Sequence, residues 1–407
     1  MSIPTAAHRD TSPFRFLKSS LLLAAGVVGF QNFLFLGVTR NNGDIANRMI
    51  RWDAAWNLHV AVHGYRTVFP PVTRDEASNV AFFPAFPFLA RLFSQILPVS
   101  PQTALILAGE VAALLFWSLF VLHLKRAGVS RLVLAGSVGV AASLPGAFYL
   151  ILPYSEALML AGALGMILDW GMSGCKGVGA SGFWGAVASA SRLPGVPLAA
   201  LPALSFAMAD SKRWRRGVQI SFLSSVGFIA FLLYCQIRFG HWNLYFETQK
   251  QGWGLNWNPF QALSSLSVRP LLWSRLWYRE AILTRLLMTW TGLGCLTLSI
   301  WTVCIRINAR KVELSLASLV LAANLNWWIP VFAFGMNPVS VTDGLRHFLP
   351  VSLFLILASC RLPWPGSQRF RTAATLGAAL LIPLLILAQV YCAGLYSSAV
   401  PNVSESE

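Results

Sequence analysis

The chain carries very little charge for its length. Only 11% of its 407 residues are Asp, Glu, Lys or Arg, and 56% are hydrophobic, whereas a soluble domain carries about 25% charged residues. Apolar runs near the roughly 20 residues that cross a bilayer recur along the sequence. The alternation of membrane β-strands, about ten residues each, does not recur. These absences exclude a soluble globular protein and predict an all-α polytopic membrane protein.

Cysteine is also scarce. The six cysteines are scattered, mostly inside apolar runs, and no two form a C-x-x-C pair, so the sequence indicates neither a zinc site nor a disulfide framework. We expect no metal and no other cofactor. The N-terminus lacks a small-residue cleavage site after a short apolar core, so the first apolar run is expected to remain as an anchor.

Acidic residues are few, 15 against 31 Lys and Arg, which gives a formal net charge of +16. Such a charge is typical of nucleic-acid binding, but here the basic residues cluster in short segments between apolar runs, as the positive-inside rule predicts for cytoplasmic loops. We therefore expect the membrane, and no nucleic acid, as a partner. The basic clusters lie at 9–18, 125–131, 176, 212–216, 306–311 and 361–371.

The apolar segments define the expected topology. They run approximately over 19–38, 103–124, 132–151, 154–171, 180–209, 218–238, 281–304, 314–334, 347–362 and 373–396. One crossing by 180–209 would separate two basic clusters that both favour the cytoplasm, so we predict two short or re-entrant half-helices that turn near Arg192. The result is a single membrane domain over 1–407 with about 11 transmembrane or half-membrane helices, its N-terminus inside and its C-terminus outside.

Two long loops are expected on the non-cytoplasmic side. The first, about 39–102, contains the apolar, proline-containing stretch 82–98, which is more typical of an interfacial helix than of a span. The second, about 240–280, is rich in Trp, a residue that prefers the headgroup level of the membrane. We therefore expect much of both loops to lie on the bilayer surface.

Asp53 is the first candidate catalytic residue, because it lies in the first outer loop beside Trp52. A carboxylate at this place could act as a general base toward a substrate that is met from the water side. The alternative is structural: Asp53 caps a helix or pairs with Arg51 or Arg48.

If residues 47–63 are helical, Trp52, Trp56 and His63 share one face by their spacing. That face is a candidate aromatic platform for a sugar. His59 and His63 also have the spacing of metal ligands, but the glutamate of the H-E-x-x-H motif is missing. A histidine pair without a metal is the better interpretation.

Arg192 is the most informative charge in an apolar segment, where an ionised group is costly and usually functional. A guanidinium matches phosphate oxygens bidentately, so Arg192 is a candidate clamp for a lipid phosphate. The alternative is an ion pair with Glu156, Glu110 or Asp169.

Two further polar clusters follow apolar runs and are expected at the same membrane face. One contains Tyr154 and Glu156, and the other contains Arg346 and His347. These four side chains are candidates for binding sugar hydroxyls or pyrophosphate-like groups. Their convergence with Asp53 on one face favours an enzyme over a solvated loop.

The motifs together resemble a known family. They occur in this order: 51–56 with Ala61 and 63–65, then 81–87, 152–156, 189–195 and 346–348. In this order they resemble the mannosyltransferases that add the second mannose of the glycosylphosphatidylinositol anchor (phosphatidylinositol-glycan class V), and above all their shorter bacterial relatives. The resemblance covers most of the chain, and 51–56 and 81–87 are its specific part.

The resemblance implies a GT-C type glycosyltransferase bundle with an acidic residue in its first large outer loop. It implies a polyprenyl-phosphate sugar donor, typically mannose, transferred with inversion to an extracytoplasmic or lipid-linked acceptor, and it places Asp53 at the family's carboxylate. Arg51 belongs to the same motif and is expected at the substrate. The expected location is the bacterial inner membrane, or the endoplasmic reticulum membrane in a eukaryote, with the active site outside the cytoplasm.

Three other functions are compatible with the sequence. A lipid-linked sugar flippase or transporter would place its key polar residues near the bilayer midplane. An oligosaccharide ligase would transfer a whole glycan from a lipid pyrophosphate. A non-catalytic subunit would assist another transferase.

Overall fold

The computed structural model of the chain describes residues 13–67, 78–170, 174–253, 279–309, 312–330, 341–362, 376–377 and 380–398. Within these ranges all regular secondary structure is helical, which confirms the expected all-α class. The helices are α1 (Pro13–Val38), α2 (Ile45–Met49), α3 (Asp53–His63), α4 (Ala85–Ile96), α5 (Pro101–Arg126), α6 (Arg131–Ser143), α7 (Glu156–Asp169), α8 (Gly174–Ser191), α9 (Gly195–Leu198), α10 (Leu201–Ala209), α11 (Trp214–Phe239), α12 (Leu244–Trp253), α13 (Arg279–Ala309), α14 (Leu314–Trp328), α15 (Val341–Ser359) and α16 (Ile382–Ser398).

Four of the described helices are long and apolar enough to cross a membrane. They are Leu17–Val38, Pro101–Arg126, Ser211–Phe239 and Trp290–Ile307. Shorter apolar helices occupy Arg131–Ser143, Glu156–Leu168, Leu314–Trp328, Gly344–Ser359 and Ile382–Ser398. Each expected apolar segment contains a helix, and the chain is a polytopic helical membrane protein.

One end of the bundle collects the basic residues. Lys125 at the end of α5 donates to the hydroxyls of Ser19 and Ser20 near the start of α1. Arg126 donates to the carbonyl oxygen of Leu168 in α7 at 3.0 Å, and Arg361, after α15, pairs with Glu313. The ends of α1, α5, α7 and α15 therefore meet at a basic face, where the positive-inside rule predicts the cytoplasm.

The chain turns at Arg192, as expected. Leu193 precedes Pro194, which disfavours the helical conformation, and α8 ends at Ser191. Contacts of Gly182 with Leu223 and of Ala186 with Gly227 show that α8 and α11 run in the same direction. The chain must therefore run back between them, which α10 does. The first of the two predicted half-helices is a longer helix: α8 has 18 residues, since no proline interrupts residues 174–191.

Glycines allow α8 and α11 to pack with their backbones close together. A Cβ atom added at Gly185 would lie 1.9 Å from the hydroxyl oxygen of Ser224, and one at Gly227 would lie 2.1 Å from the carbonyl oxygen of Ala186. The hydroxyl of Ser189 donates to the carbonyl oxygen of Ser224 at 2.6 Å. Small residues and hydroxyl groups are the usual means of joining helices within a membrane. This rigid packing holds Arg192 at the end of α8.

The loop over 39–102 contains a helix, α4, within the stretch 82–98 that is expected to be interfacial. Helix α4 buries Phe86 and Ala90 but leaves Phe88 66% and Ile96 67% exposed. An apolar exposed face on a short helix suits the membrane surface. Of the second loop, the tryptophans of residues 254–278 lie outside the described residues.

Candidate active site

Two acidic residues each occupy the first position of a helix. Asp53 begins α3 and Glu156 begins α7. The positive end of the helix dipole favours a negative charge at this place. Both acids are therefore fixed by backbone geometry at the end of the bundle opposite the basic face.

Two arginines reach the same place from other elements. Arg192 follows the last residue of α8, where the helix dipole favours a cation. Arg346 lies in the second turn of α15. Gly146, directly before the short 3₁₀ helix Ala147–Leu150, supports this position: a Cβ atom there would lie 2.8 Å from the carbonyl oxygen of Leu345, so only glycine allows this approach.

These four side chains form one chain of ion pairs, which we call the charge network. Oε1 of Glu156 accepts hydrogen bonds from Nη1 of Arg192 and from Nε of Arg346. Nη2 of Arg346 donates to Oδ2 of Asp53. The side chain of Glu156 is 2% exposed and that of Asp53 is 28% exposed. Arg346 therefore links a buried acid to an accessible one.

The structure identifies the partners of Asp53 and Arg192, while their roles stay predictions. Asp53 does not occupy the cap position, which belongs to Trp52, and its described partner is Arg346 rather than Arg48 or Arg51. Arg192 pairs with Glu156, the first of its three candidate acids. A phosphate-binding role of Arg192 therefore remains a prediction. In that role the phosphate would bind an arginine that is already paired with Glu156.

Tyr154 packs against the charge network at Arg346. The guanidinium of Arg346 lies over its ring, 4.9 Å from the centroid, a favourable cation–π distance. The hydroxyl of Tyr154 donates to the carbonyl oxygen of Arg51 at 3.0 Å and lies 3.3 Å from the hydroxyl of Tyr396. Burial raises the pKa of Tyr154 well above its ordinary value, so this phenol stays neutral.

Arg51 contacts Tyr154 through its backbone carbonyl group and other elements through its side chain. Its Nη1 atom donates to the carbonyl oxygen of Ser397 at 2.6 Å, and its Nε atom donates to that of Asn47 at 3.0 Å. These contacts tie the first outer loop to the end of α16. We infer that Arg51 holds the loop, while its carbonyl oxygen positions Tyr154.

Trp52 has an unusual backbone conformation directly before the carboxylate of Asp53. Its φ of 53° and ψ of −121° lie in a region that favours glycine. The amide of Ala54 donates to the carbonyl oxygen of Arg51 at 3.0 Å and closes the turn. Residues 47–63 therefore do not form one helix, which was the condition for the shared face of Trp52, Trp56 and His63: α2 ends at Met49, and the turn at Trp52 starts α3. Backbone strain of about 1–3 kcal/mol is typical of functional sites.

The other predicted residues of α3 lie farther away. Trp56 stacks on Phe82 with ring centroids 5.9 Å apart. His63 lies ten positions after Asp53, which is about 15 Å along a helix, and its ring is 4.9 Å from that of His59. The structure thus does not bring His63 to the charge network. His347 follows Arg346 and is half-buried.

Asn79 fixes the state of His59. The side-chain oxygen of Asn79 accepts from the backbone amide of Arg66 at 2.8 Å, so its amide nitrogen must be the donor toward the carbonyl oxygen of Gly64 and toward Nδ1 of His59. His59 is then neutral, with its proton on Nε2. Burial, aided by the charges of Arg66 and His63, lowers the pKa of His59. Among the described residues no three His, Cys, Asp or Glu side chains are placed to hold a metal ion.

Sequence reasoning missed three contributors. Tyr396 and Ser397 come from the C-terminal apolar helix, where nothing in the sequence marks them. Tyr245 of α12 is buried against Phe83, with ring centroids 4.9 Å apart, and accepts a hydrogen bond from Gln249. The aromatic residues of 81–87 offered a signal, because a buried aromatic cluster needs a partner on another element.

Comparisons with known proteins find only distant structural likenesses. Neither protein-family models nor curated proteins match the sequence. The structure is similar to the Archaeoglobus fulgidus oligosaccharyltransferase in the apo form, with a TM-score of 0.49 and 13% identity over 94% of this chain and 57% of that one. It is also similar to AglB from the same archaeon in complex with an inhibitory peptide and a dolichol-phosphate, with a TM-score of 0.49 and 14% identity over 97% of this chain and 57% of that one.

The chain spans a little over half the length of these oligosaccharyltransferases. At TM-scores below 0.5 the likeness carries no argument about fold family, activity, donor or acceptor. Any function must therefore be argued from the charge network itself.

Proposed function

We propose that the chain is a membrane glycosyltransferase that moves a hexose, mannose by the sequence resemblance, from a polyprenyl-phosphate donor to an extracytoplasmic or lipid-linked acceptor. The observation that supports this proposal is the charge network, which combines an accessible carboxylate with two arginines at one end of a membrane bundle. A general base and a phosphate site are the two requirements of such a transfer.

In the proposed reaction, the acceptor hydroxyl attacks C1 of the sugar while the bond between C1 and the phosphate oxygen breaks. Asp53 takes the hydroxyl proton as the oxygen attacks C1 from the face opposite the phosphate, and this direction of attack inverts C1. Arg192 and Arg346 bind the departing lipid monophosphate. Trp52 and Trp56 are proposed to orient the sugar, whereas Tyr154 is buried against Arg346 and is proposed to act through that arginine.

The charges balance in this scheme. The two acids and two arginines of the network sum to zero before the reaction. When Asp53 takes the proton, the network gains one positive unit as the leaving phosphate gains a negative one. Fixed charges that match a developing charge are an effective source of catalysis, and here no separate cation is required to balance it.

The proposal is tested by transfer from a radiolabelled polyprenyl-phosphate hexose in proteoliposomes. Asp53→Asn should lower turnover roughly 10²- to 10⁴-fold. The matched control is Asp210→Asn at the basic end, because Asp210 also pairs with an arginine, Arg213, and its side chain is also 28% exposed. Transfer by the Asp53→Asn protein at the rate of the control would remove Asp53 from the mechanism.

The same assay separates the alternatives. A flippase would move the intact lipid-linked sugar across the vesicle without breaking its phosphate bond. An oligosaccharide ligase would accept only a lipid pyrophosphate glycan. A non-catalytic subunit would show neither activity alone.

A further inference from the structure

We infer that Glu156 is a positioning residue, which holds Arg192 and Arg346 side by side as one binding site for a lipid phosphate monoester or diester. This inference rests on the proposed function for its substrate class. It replaces the expectation that Glu156 itself contacts sugar or pyrophosphate groups. The geometry that supports it is the sharing of a single oxygen, Oε1, by two guanidinium groups.

Without a carboxylate between them, the two arginines would repel each other. They come from elements more than 150 positions apart in sequence, α8 and α15, and no covalent restraint holds them together. Glu156 is 2% exposed, and like charges repel more strongly where water is excluded. The carboxylate of Glu156 therefore holds the Arg192 guanidinium next to that of Arg346, which Asp53 and Tyr154 also contact.

Stability alone does not explain the arrangement of Glu156 with Arg192 and Arg346. Oε2 of Glu156 is buried and accepts no hydrogen bond from the described residues. Replacing a buried ion pair by apolar residues is often neutral or stabilising. A buried carboxylate that uses only one of its two oxygens is better explained by the placement of its arginines.

The donor groups at the site indicate the ligand class. Arg192 and Arg346 bring two guanidinium groups to one carboxylate oxygen, and with Asp53 included the network is neutral before a ligand binds. Guanidinium groups bind phosphate oxygens through pairs of parallel hydrogen bonds. The Arg346 guanidinium lies over the ring of Tyr154, 4.9 Å from the ring centroid, and this contact restricts its movement before a ligand arrives.

The test compares binding of farnesyl phosphate, a short polyprenyl phosphate, with binding of farnesol, its neutral counterpart, to the full chain in nanodiscs. Glu156→Gln should weaken farnesyl phosphate binding roughly 10- to 100-fold, the effect of losing a charge-assisted hydrogen bond. Binding of farnesol should not change. Glu313→Gln, which removes an acid paired with Arg361 at the basic end, is the matched control and should bind both like the wild type.

The direction of the change decides between two roles. If Glu156 only competed with the ligand for the arginines, Glu156→Gln would bind farnesyl phosphate more tightly, and that result would overturn the inference. Equal binding would overturn it as well. If Glu156→Gln fails to fold, Glu156→Asp keeps the charge but withdraws the oxygens by one methylene. It should then lose part of the farnesyl phosphate affinity and none of the farnesol affinity, and unchanged affinity for both would be the contrary result.

The outcome is separable from that of the proposed function. Selective loss of farnesyl phosphate binding in Glu156→Gln, with no sugar transfer by the wild type, would support the phosphate site and reject the transferase. Transfer by the wild type with unchanged farnesyl phosphate binding in Glu156→Gln would support the transferase and reject the positioning role of Glu156. A wild type that binds farnesol as tightly as farnesyl phosphate would reject the phosphate site itself.

Discussion

Gly146→Ala perturbs the charge network without touching any charged residue. A Cβ atom at position 146 would lie 2.8 Å from the carbonyl oxygen of Leu345, whereas ordinary contacts begin at 3.4 Å. The backbone next to Arg346 must therefore move by about 0.6 Å, the difference between these two distances. Functional geometry tolerates errors of only about 0.5 Å, so this shift is large enough to displace the guanidinium from Asp53 and Glu156.

The energies can be estimated from the same geometry. Gly146 has a φ of −89° and a ψ of −1°, which alanine adopts without strain, so the smaller entropy of the unfolded chain contributes about 0.4–1 kcal/mol of stability. Overpacking against a backbone costs about 1–3 kcal/mol. We expect a net loss of about 1–2 kcal/mol in unfolding free energy and a fall in transfer of about tenfold or more.

Gly29→Ala is the matched control, because a Cβ atom there meets nothing within 4 Å. In the middle of α1 alanine should stabilise the helix by about 0.5–1 kcal/mol and leave transfer unchanged. Thermal unfolding in detergent and transfer in proteoliposomes measure both effects. If Gly146→Ala matched Gly29→Ala in both measurements, the close approach between residues 146 and 345 would be wrong, and with it the placement of Arg346.

Three further outcomes are expected. Because the pKa of His59 is lowered in the folded chain, its neutral form stabilises the fold above the ordinary value of 6.5, and this contribution is lost as the pH falls below it. Between about pH 7.5 and about pH 5.5, the melting temperature should thus fall less steeply for His59→Gln than for the wild type. Tyr396→Phe, which removes the hydroxyl next to Tyr154, should lower stability by roughly 1 kcal/mol, and an unchanged melting temperature would contradict the contact. In a cysteine-free background, an impermeant thiol reagent should label Val62→Cys from outside intact cells and Lys212→Cys only after permeabilisation; the reverse pattern would invert the topology.

Much of the fold was predictable, because its signals are local. Apolar length marks the spans, and Leu193 before Pro194 marks the turn after Arg192. Basic residues at 125–126 and 361 predicted which ends meet. The partner of Arg192 could be narrowed to three acids, of which Glu156 is the one found.

The rest of the site could not be predicted from local patterns. Helical spacing placed Trp52, Trp56 and His63 on one face, but the positive φ of Trp52 breaks the helix before Asp53, and a conformation that favours glycine is not expected of tryptophan. The contact of Tyr154 with Tyr396 joins residues 242 positions apart. Such contacts depend on how the helices assemble, which periodicity within one helix does not contain.

The sequence separations within the network set an order for its assembly during synthesis. Glu156 can meet Arg192 once 36 more residues have been made, whereas Asp53 must wait 293 residues for Arg346. Arg51 waits 346 residues for the carbonyl group of Ser397. A chain released before α15 would present Asp53 without Arg346, and one released before α16 would lack the carbonyl group of Ser397 that Arg51 contacts. Completion of the site therefore requires synthesis through α16, and loss of α16 should be detected in the loop that contains Arg51.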